Sequence, residues 1–172
     1  MIIDKIVPTS FVLKSETTTK RNLLYVDDNT YSGFVYELYP ETADTLLIVG
    51  YYNGLKEGVS KKWYAGNEMM ELRYFASGQK NGKQVAYWEN GNKRFEYSAK
   101  NDGYEGELKE WNSDGFLFHL ANYKNGQEDG AQKLWYDNGK IRANYVIVEG
   151  KRYGLLGTKN CVNVSDSIFI AK

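Results

Sequence analysis

The sequence predicts an all-β fold, an elongated single-domain meander of about five 24-residue β-hairpin repeats with short N- and C-terminal caps. Three recurring features support this prediction. A main glycine recurs with a spacing that is constant after the first interval, at Gly33, Gly58, Gly82, Gly106, Gly130 and Gly154. An aromatic residue stands five positions after four of these glycines, at Trp63, Tyr87, Trp111 and Trp135. A turn dipeptide follows in the later copies, at Asn90-Gly91, Asp114-Gly115 and Asn138-Gly139. A period of this length is typical of a stack of similar supersecondary units.

Each repeat contains two strand-like segments separated by a turn. In the repeat that starts at Gly58, residues 59–64 and 69–75 are rich in β-branched and aromatic residues, and Ala65-Gly66-Asn67 lies between them. The Asn-Gly and Asp-Gly dipeptides of later copies favour a type I′ turn at this place, because that turn needs positive φ at both central residues. The Gly-x-x-x-Gly links then turn the chain into the next repeat.

The first repeat is divergent, since Pro40-Glu41-Thr42-Ala43-Asp44 replaces its tight turn. Before it, residues 23–26 predict one more strand, so that strand and five hairpins predict about eleven strands in antiparallel meander order. The single domain, residues 1–172, therefore divides into an N-terminal cap at 1–22, hairpin repeats at 23–157 and a C-terminal cap at 158–172.

Alternation along each strand assigns the aromatic residues to two sides of the sheet. We name the residues five positions after the main glycine the aromatic ladder, and expect them to pack as structural residues: Trp63, Tyr87, Trp111 and Trp135. The residues one position later are the candidate partner-binding face: Tyr64, Trp88 and Tyr136. Two mostly apolar columns of the return strands predict one better-buried face: Tyr51, Phe75, Ala99, Tyr123 and Ile147, with Val49, Arg73, Tyr97, Ala121 and Tyr145.

The composition excludes several function classes. Lys+Arg and Asp+Glu number 22 each, and this neutral balance argues against nucleic acid as a partner and makes peripheral membrane contact unfavourable. No apolar run is long enough to span a membrane. The N-terminus lacks the pattern of a signal peptide, so we expect a cytoplasmic protein, or one of the cell envelope or periplasm if an export signal was trimmed.

With this spacing, the chain resembles MORN-repeat proteins (membrane occupation and recognition nexus), and more specifically the bacterial YwqK-family type named as a toxin–antitoxin system antitoxin. The segments that carry the resemblance are 52–58, 87–93, 123–130 and 135–140. It covers roughly residues 24–157. It implies an elongated row of hairpins that mediates contacts and carries no catalytic residues.

The candidate chemical groups are few. His119, the only histidine, has no partner that the sequence identifies, and the single cysteine, Cys161, is flanked by valine in a predicted cap. The Gly-x-x-x-Gly links lack the Lys-Ser/Thr and the helix of a phosphate-binding loop. We therefore expect no catalytic residue, no metal and no cofactor.

The predicted function is a non-enzymatic protein-interaction module, antitoxin-like or a scaffold, whose partner is another protein. Homo-oligomers through the sheet edges are a further prediction. The alternative is a module that binds lipid headgroups or glycans through exposed aromatic residues.

Overall fold

A computed structural model describes residues 5–157, and it is built almost entirely of β-strands, as predicted. The strands form two sheets, one of fourteen strands and one of three. The predicted C-terminal cap at 158–172, including Cys161, lies outside the described residues. The first residues of the predicted N-terminal cap, 1–4, also lie outside them.

The N-terminal segment contributes four short strands and one turn of 3₁₀ helix, Lys14–Glu16. The strands are β1 (Phe11–Leu13), β2 (Thr18–Lys20), β3 (Leu23–Val26) and β4 (Asn29–Thr30). Strand β1 covers one edge of the large sheet, while β2, β3 and β4 form the small one. The small sheet rests on the turn at Gly54, whose carbonyl accepts a hydrogen bond from the Leu24 amide (2.9 Å).

The large sheet continues as a row of antiparallel strands. In chain order they are β5 (Gly33–Leu38), β6 (Thr45–Tyr52), β7 (Leu55–Trp63), β8 (Met69–Ala76), β9 (Gln79–Lys80), β10 (Gly82–Tyr87), β11 (Lys93–Lys100), β12 (Gly103–Trp111), β13 (Leu117–Lys124), β14 (Gln127–Glu128), β15 (Gly130–Trp135), β16 (Ile141–Val148) and β17 (Lys151–Leu155). Consecutive strands pair with one another, and the short β9 and β14 lie beside this path. The predicted meander is confirmed.

The N-terminal edge differs from the predicted one in two ways. Strand β3 does not join the meander, because β2 and β4 pair with it on both sides. The meander instead begins at β5, which pairs in parallel with β1. Within residues 5–157 the last antiparallel strand is β17, which starts the unit after the fifth hairpin.

The hairpin turns at the Asn-Gly and Asp-Gly dipeptides differ from the predicted type. At Asn90-Gly91 only Gly91 has positive φ (83°), and its amide donates to the Trp88 carbonyl (2.9 Å). This geometry is a type I turn followed by a glycine bulge in a three-residue loop, so the predicted type I′ turn is wrong there. The pairing shifts by one residue beside this loop, between Ala86 and Tyr87.

The type I′ geometry occurs in the Gly-x-x-x-Gly links instead. Both central residues have positive φ in all five links, at Asn53-Gly54, Ser77-Gly78, Asn101-Asp102, Asn125-Gly126 and Glu149-Gly150. The flanking residues pair directly, for example Ala76 with Gln79. Two-residue loops of this type fit the twist of the strands they join, so the links are the tightest hairpins of the array.

One face of the large sheet, which we call the inner face, contains most of the core. The residue two positions after each main glycine lies on this face, and so does the return-strand residue that pairs with it. These pairs are Val35 with Val49, Ser60 with Arg73, Gln84 with Tyr97, Leu108 with Ala121, and Gln132 with Tyr145. Gln84, Ala121 and Gln132 are 0% exposed. The predicted better-buried face is confirmed, since both return-strand columns belong to it. We call the opposite face the outer face.

Repeats two to five alternate in structure, with a period of two repeats. In the second and fourth, the outgoing strand is continuous and a glutamate accepts from the amide of the next link, Glu57 from Ser77 (2.7 Å) and Glu105 from Asn125 (2.9 Å). In the third and fifth, the outgoing strand is split in two before the main glycine. There a buried glutamine donates to a return-strand carbonyl, Gln84 to Tyr74 (2.9 Å) and Gln132 to Asn122 (2.8 Å).

Candidate interaction surface

The aromatic ladder lies on the outer face, at the loop end of each hairpin. Alternation places Tyr87 on the same side as Val85, and opposite to the buried Gln84. All four ladder residues, Trp63, Tyr87, Trp111 and Trp135, are partly buried. Their backbone carbonyls matter as much as their rings, because three of them accept hydrogen bonds from the preceding repeat.

The donors stand six positions after the main glycine of the first three repeats. The Tyr39 hydroxyl donates to the Trp63 carbonyl (3.0 Å), and the Tyr64 hydroxyl donates to the Tyr87 carbonyl (3.0 Å). The Trp88 indole Nε1–H donates to the Trp111 carbonyl (3.0 Å). We call these three side chains tethers, because each joins the loop end of one hairpin to the next hairpin.

The three residues of the predicted partner-binding face therefore have unequal roles. Tyr64 and Trp88 are partly buried and reach along the array as tethers. Tyr136 is 52% exposed, and within residues 5–157 its hydroxyl makes no hydrogen bond. A partner surface made of all three stays a prediction, but two of the polar tips that it would use are already bonded inside the array.

A continuous aromatic stack lies elsewhere, on the inner face of the third and fourth repeats. Its ring centroids are 5.6 Å apart for Phe95 and Tyr97, 4.7 Å for Tyr97 and Tyr104, and 4.8 Å for Tyr104 and Tyr123. Tyr104 is 39% exposed, and the other three are partly buried. Neighbouring rings meet at angles of 33° to 64°, tilted or edge-on rather than face to face, and we call these four residues the inner-face stack.

The stack could not be read from the strand columns, because Tyr104 falls in a Gly-x-x-x-Gly link that the sequence predicts as a turn, whereas the structure continues β12 through it. Its slot, two positions before the main glycine, holds Tyr31 in the first repeat and a charged residue before each of the other main glycines, at Lys56, Lys80, Glu128 and Arg152. The cations Lys56 and Arg152 lie over the rings of Phe75 and Tyr145, 5.1 and 5.5 Å from their centroids. An aromatic residue in a column that is otherwise charged from the second repeat onward was the signal available in the sequence.

Two polar pairs flank the stack. Arg73 donates twice to Glu71 (2.9 and 3.1 Å), and its guanidinium lies 5.2 Å from the centroid of the Phe95 ring. The hydrogen bond from Arg73 lowers the pKa of the Glu71 carboxyl against the opposing effect of burial. On the other side, Nδ1 of His119 lies 2.7 Å from Oε2 of Glu110. The rim of the stack thus carries both signs of charge.

The other candidate groups can now be placed. Glu110 is the partner of His119 that sequence reasoning could not find, because the pairing of β12 with β13 sets these two residues opposite each other. Within residues 5–157, no group of three His, Cys, Asp or Glu side chains could hold a metal ion. In the same range, no helix is long and apolar enough to cross a membrane.

Neither a protein-family model nor a curated protein matches this chain. The resemblance to the MORN-repeat and YwqK families therefore stays an expectation from the repeat pattern.

Proposed function

We propose that this chain is a non-enzymatic protein-interaction module, an antitoxin-like or scaffold protein, and that its partner contacts the inner-face stack. The observation that carries the proposal is the exposure of Tyr104 within a stack of four aromatic rings on an open sheet. Tyrosine is enriched among the residues that dominate binding energy at protein interfaces. A rim with both signs of charge suits a protein surface better than a polyanion.

The position of the stack also supports a protein partner. It lies in the third and fourth of five repeats, so the sheet extends on both sides of it. A specific interface needs about 800 Å² on each partner. A central anchor with sheet on either side can supply such an area, whereas the short turns cannot.

The test compares two substitutions that remove exposed aromatic rings. Tyr104→Ser removes the most exposed ring of the stack, and Phe116→Ser removes a ring that is 65% exposed in a hairpin loop. The full chain and both variants serve as baits in a quantitative pull-down from the native organism. We expect the enriched partner to be lost with Tyr104→Ser and kept with Phe116→Ser, while both variants keep their melting transitions. Undiminished capture by Tyr104→Ser would refute the proposed contact surface.

A second candidate function is the binding of lipid headgroups or glycans. A hollow of about 340 Å³ on the outer face favours it. The hollow combines apolar and aromatic residues with two lysines and the glutamate that pairs with both of them: Leu72, Tyr74, Val85, Tyr87, Lys83, Lys93 and Glu96. Flotation with vesicles of anionic lipid tests it, with Lys83→Glu as the disabling variant and the distant, exposed Lys133→Glu as its control.

A further inference from the structure

The C-terminal edge of the large sheet is exposed and apolar. All five residues of β17 are exposed, and within residues 5–157 no strand pairs with its outer side. Large apolar side chains are exposed around this edge, at Tyr136, Ile141, Val146, Val148, Tyr153, Leu155 and Leu156. An edge of this kind is a template for another strand, and natural proteins cover such edges.

The repeat phase indicates which segment covers it. Return strands begin and end at fixed offsets from their main glycine, and Lys93–Lys100 follows Gly82 with the same offsets as Leu117–Lys124 follows Gly106. Applied to Gly154, these offsets give residues 165–172. This segment contains Ile168-Phe169-Ile170, a β-branched and aromatic run that suits a strand.

We propose that residues 165–172 pair antiparallel with β17 as the return strand of a sixth, divergent hairpin. The register follows from the earlier hairpins. The residue one position after the main glycine pairs with the residue sixteen positions after it, as Lys83 does with Ser98. In the sixth unit the same pair is Leu155 and Ile170. Residues 158–172 lie outside the described range, so the register is an inference from β17 and the repeats.

Tyr136 fits the same arrangement. The tethers Tyr64 and Trp88 each donate to the carbonyl of a residue 23 positions later. For Tyr136 that residue is Lys159, which stands in the ladder slot of the sixth unit. In a sixth hairpin of this kind, the exposed hydroxyl of Tyr136 would have its acceptor at Lys159, between β17 and the segment that we assign to the edge.

A second copy of the chain is the competing occupant of this edge. A segment joined to the edge by a short linker has an effective concentration in the millimolar range. A second copy at micromolar concentration is then outcompeted by about a thousandfold, if the two strands pair equally well. The chain's own segment is the expected occupant.

Disulfide trapping in the full chain tests the register. In a Cys161→Ser background, Leu155→Cys with Ile170→Cys should form an intramolecular disulfide, because directly opposed residues have Cα atoms about 4.5–5.5 Å apart. The control pair, Leu155→Cys with Ser165→Cys, is out of register by five positions, or roughly 16 Å along the strand, and should not close. Absence of the first disulfide, or equal closure of the control, would overturn the proposal.

A separate measurement needs no substitution. Hydrogen exchange of the unmodified chain should show slowed exchange in residues 151–157, because pairing on the outer side of β17 protects the amides that point outward. Fast exchange of this segment would overturn the proposal. Slowed exchange that depends on protein concentration would overturn it too, since it would assign the edge to a second copy.

Discussion

At the scale of single residues, the polar tip of an aromatic side chain decides its role in this array. Tyr64 and Trp88 occupy one slot in successive repeats and both donate to the next ladder carbonyl. The fourth repeat has Asn112 in this slot, whose short side chain instead accepts from the amides of Asp114 (3.1 Å) and Phe116 (2.9 Å) in its own loop. A long aromatic side chain in this slot therefore bonds to the next repeat, whereas a short one bonds within its own loop.

The Glu71–Arg73 pair makes stability depend on pH. The hydrogen bonds that Arg73 donates to the Glu71 carboxyl lower the pKa of Glu71 in the folded state. The stabilisation is therefore fully present above the ordinary glutamate pKa of 4.5 and is lost as the pH falls through the lowered value. We expect Glu71→Gln to reduce the free energy of unfolding by about 1 kcal/mol at pH 7 and by much less at pH 3.

Urea denaturation at both pH values measures this difference. Glu107→Gln is the matched control, because its partner Lys109 lies in an exposed surface pair, and it should have little effect at either pH. A loss for Glu71→Gln that is equal at pH 7 and pH 3 would show that packing, rather than charge, is responsible.

At the scale of elements, turn chemistry accounts for the register of the hairpins. The Asn-Gly dipeptides correctly predicted where the hairpins lie, but not their turn type. Such a dipeptide fits both a two-residue type I′ loop and a three-residue loop with a glycine bulge. Loop length decides between them, and it depends on pairing that the dipeptide does not specify.

The link at Ser77-Gly78 offers a test of this turn assignment. Ser77 has a φ of 50°, a conformation that asparagine tolerates better than serine. We expect Ser77→Asn to raise the free energy of unfolding by about 0.5 kcal/mol, measured by chemical denaturation. Ser113→Asn, in a hairpin loop where the residue has ordinary φ, should bring no such gain. A loss of stability in Ser77→Asn would contradict the type I′ assignment.

The inner face was predictable and the inner-face stack was not, for a physical reason. The columns of Val49 and Tyr51 recur at the repeat period, so alternation alone places them on one side of the sheet. Alternation also places Tyr104 on that side, four positions before Leu108, but only if the strand runs through the link. The period does not decide this, since the strand is continuous in β12 and split between β9 and β10. Likewise, nothing in the period reveals that residues 23–26 pair within a separate small sheet.

At the scale of the whole molecule, the tethers make coupling between repeats uneven. The first three junctions each have one tether, while among the described residues none joins Asn112 to Trp135. In an array, stability is a sum of unit and interface contributions. At its loop end, the junction between the fourth and fifth repeats should therefore be the weakest of the four. At its link end, the Asn122 side chain donates to the Ala131 carbonyl (2.8 Å).

Native-state hydrogen exchange can locate this junction. We expect the amides of β15 and β16 to have a lower free energy of opening than the amides of β10 and β11. The difference should be about 1 kcal/mol, because this is the typical net contribution of one hydrogen bond. Trp88→Phe, which removes the indole donor, should lower the protection of β10 and β11 by a similar amount. Uniform protection across all four strands would contradict the expectation.

The alternation of repeats two to five sets the unit by which such a protein can grow. Glutamate-type and glutamine-type repeats take turns, so every junction between them joins unlike neighbours. Duplicating two consecutive repeats preserves each of these junctions, whereas duplicating a single repeat creates a junction between like neighbours. A pair of hairpins is therefore the unit whose duplication would lengthen this chain, in evolution or by design, without creating a new kind of junction.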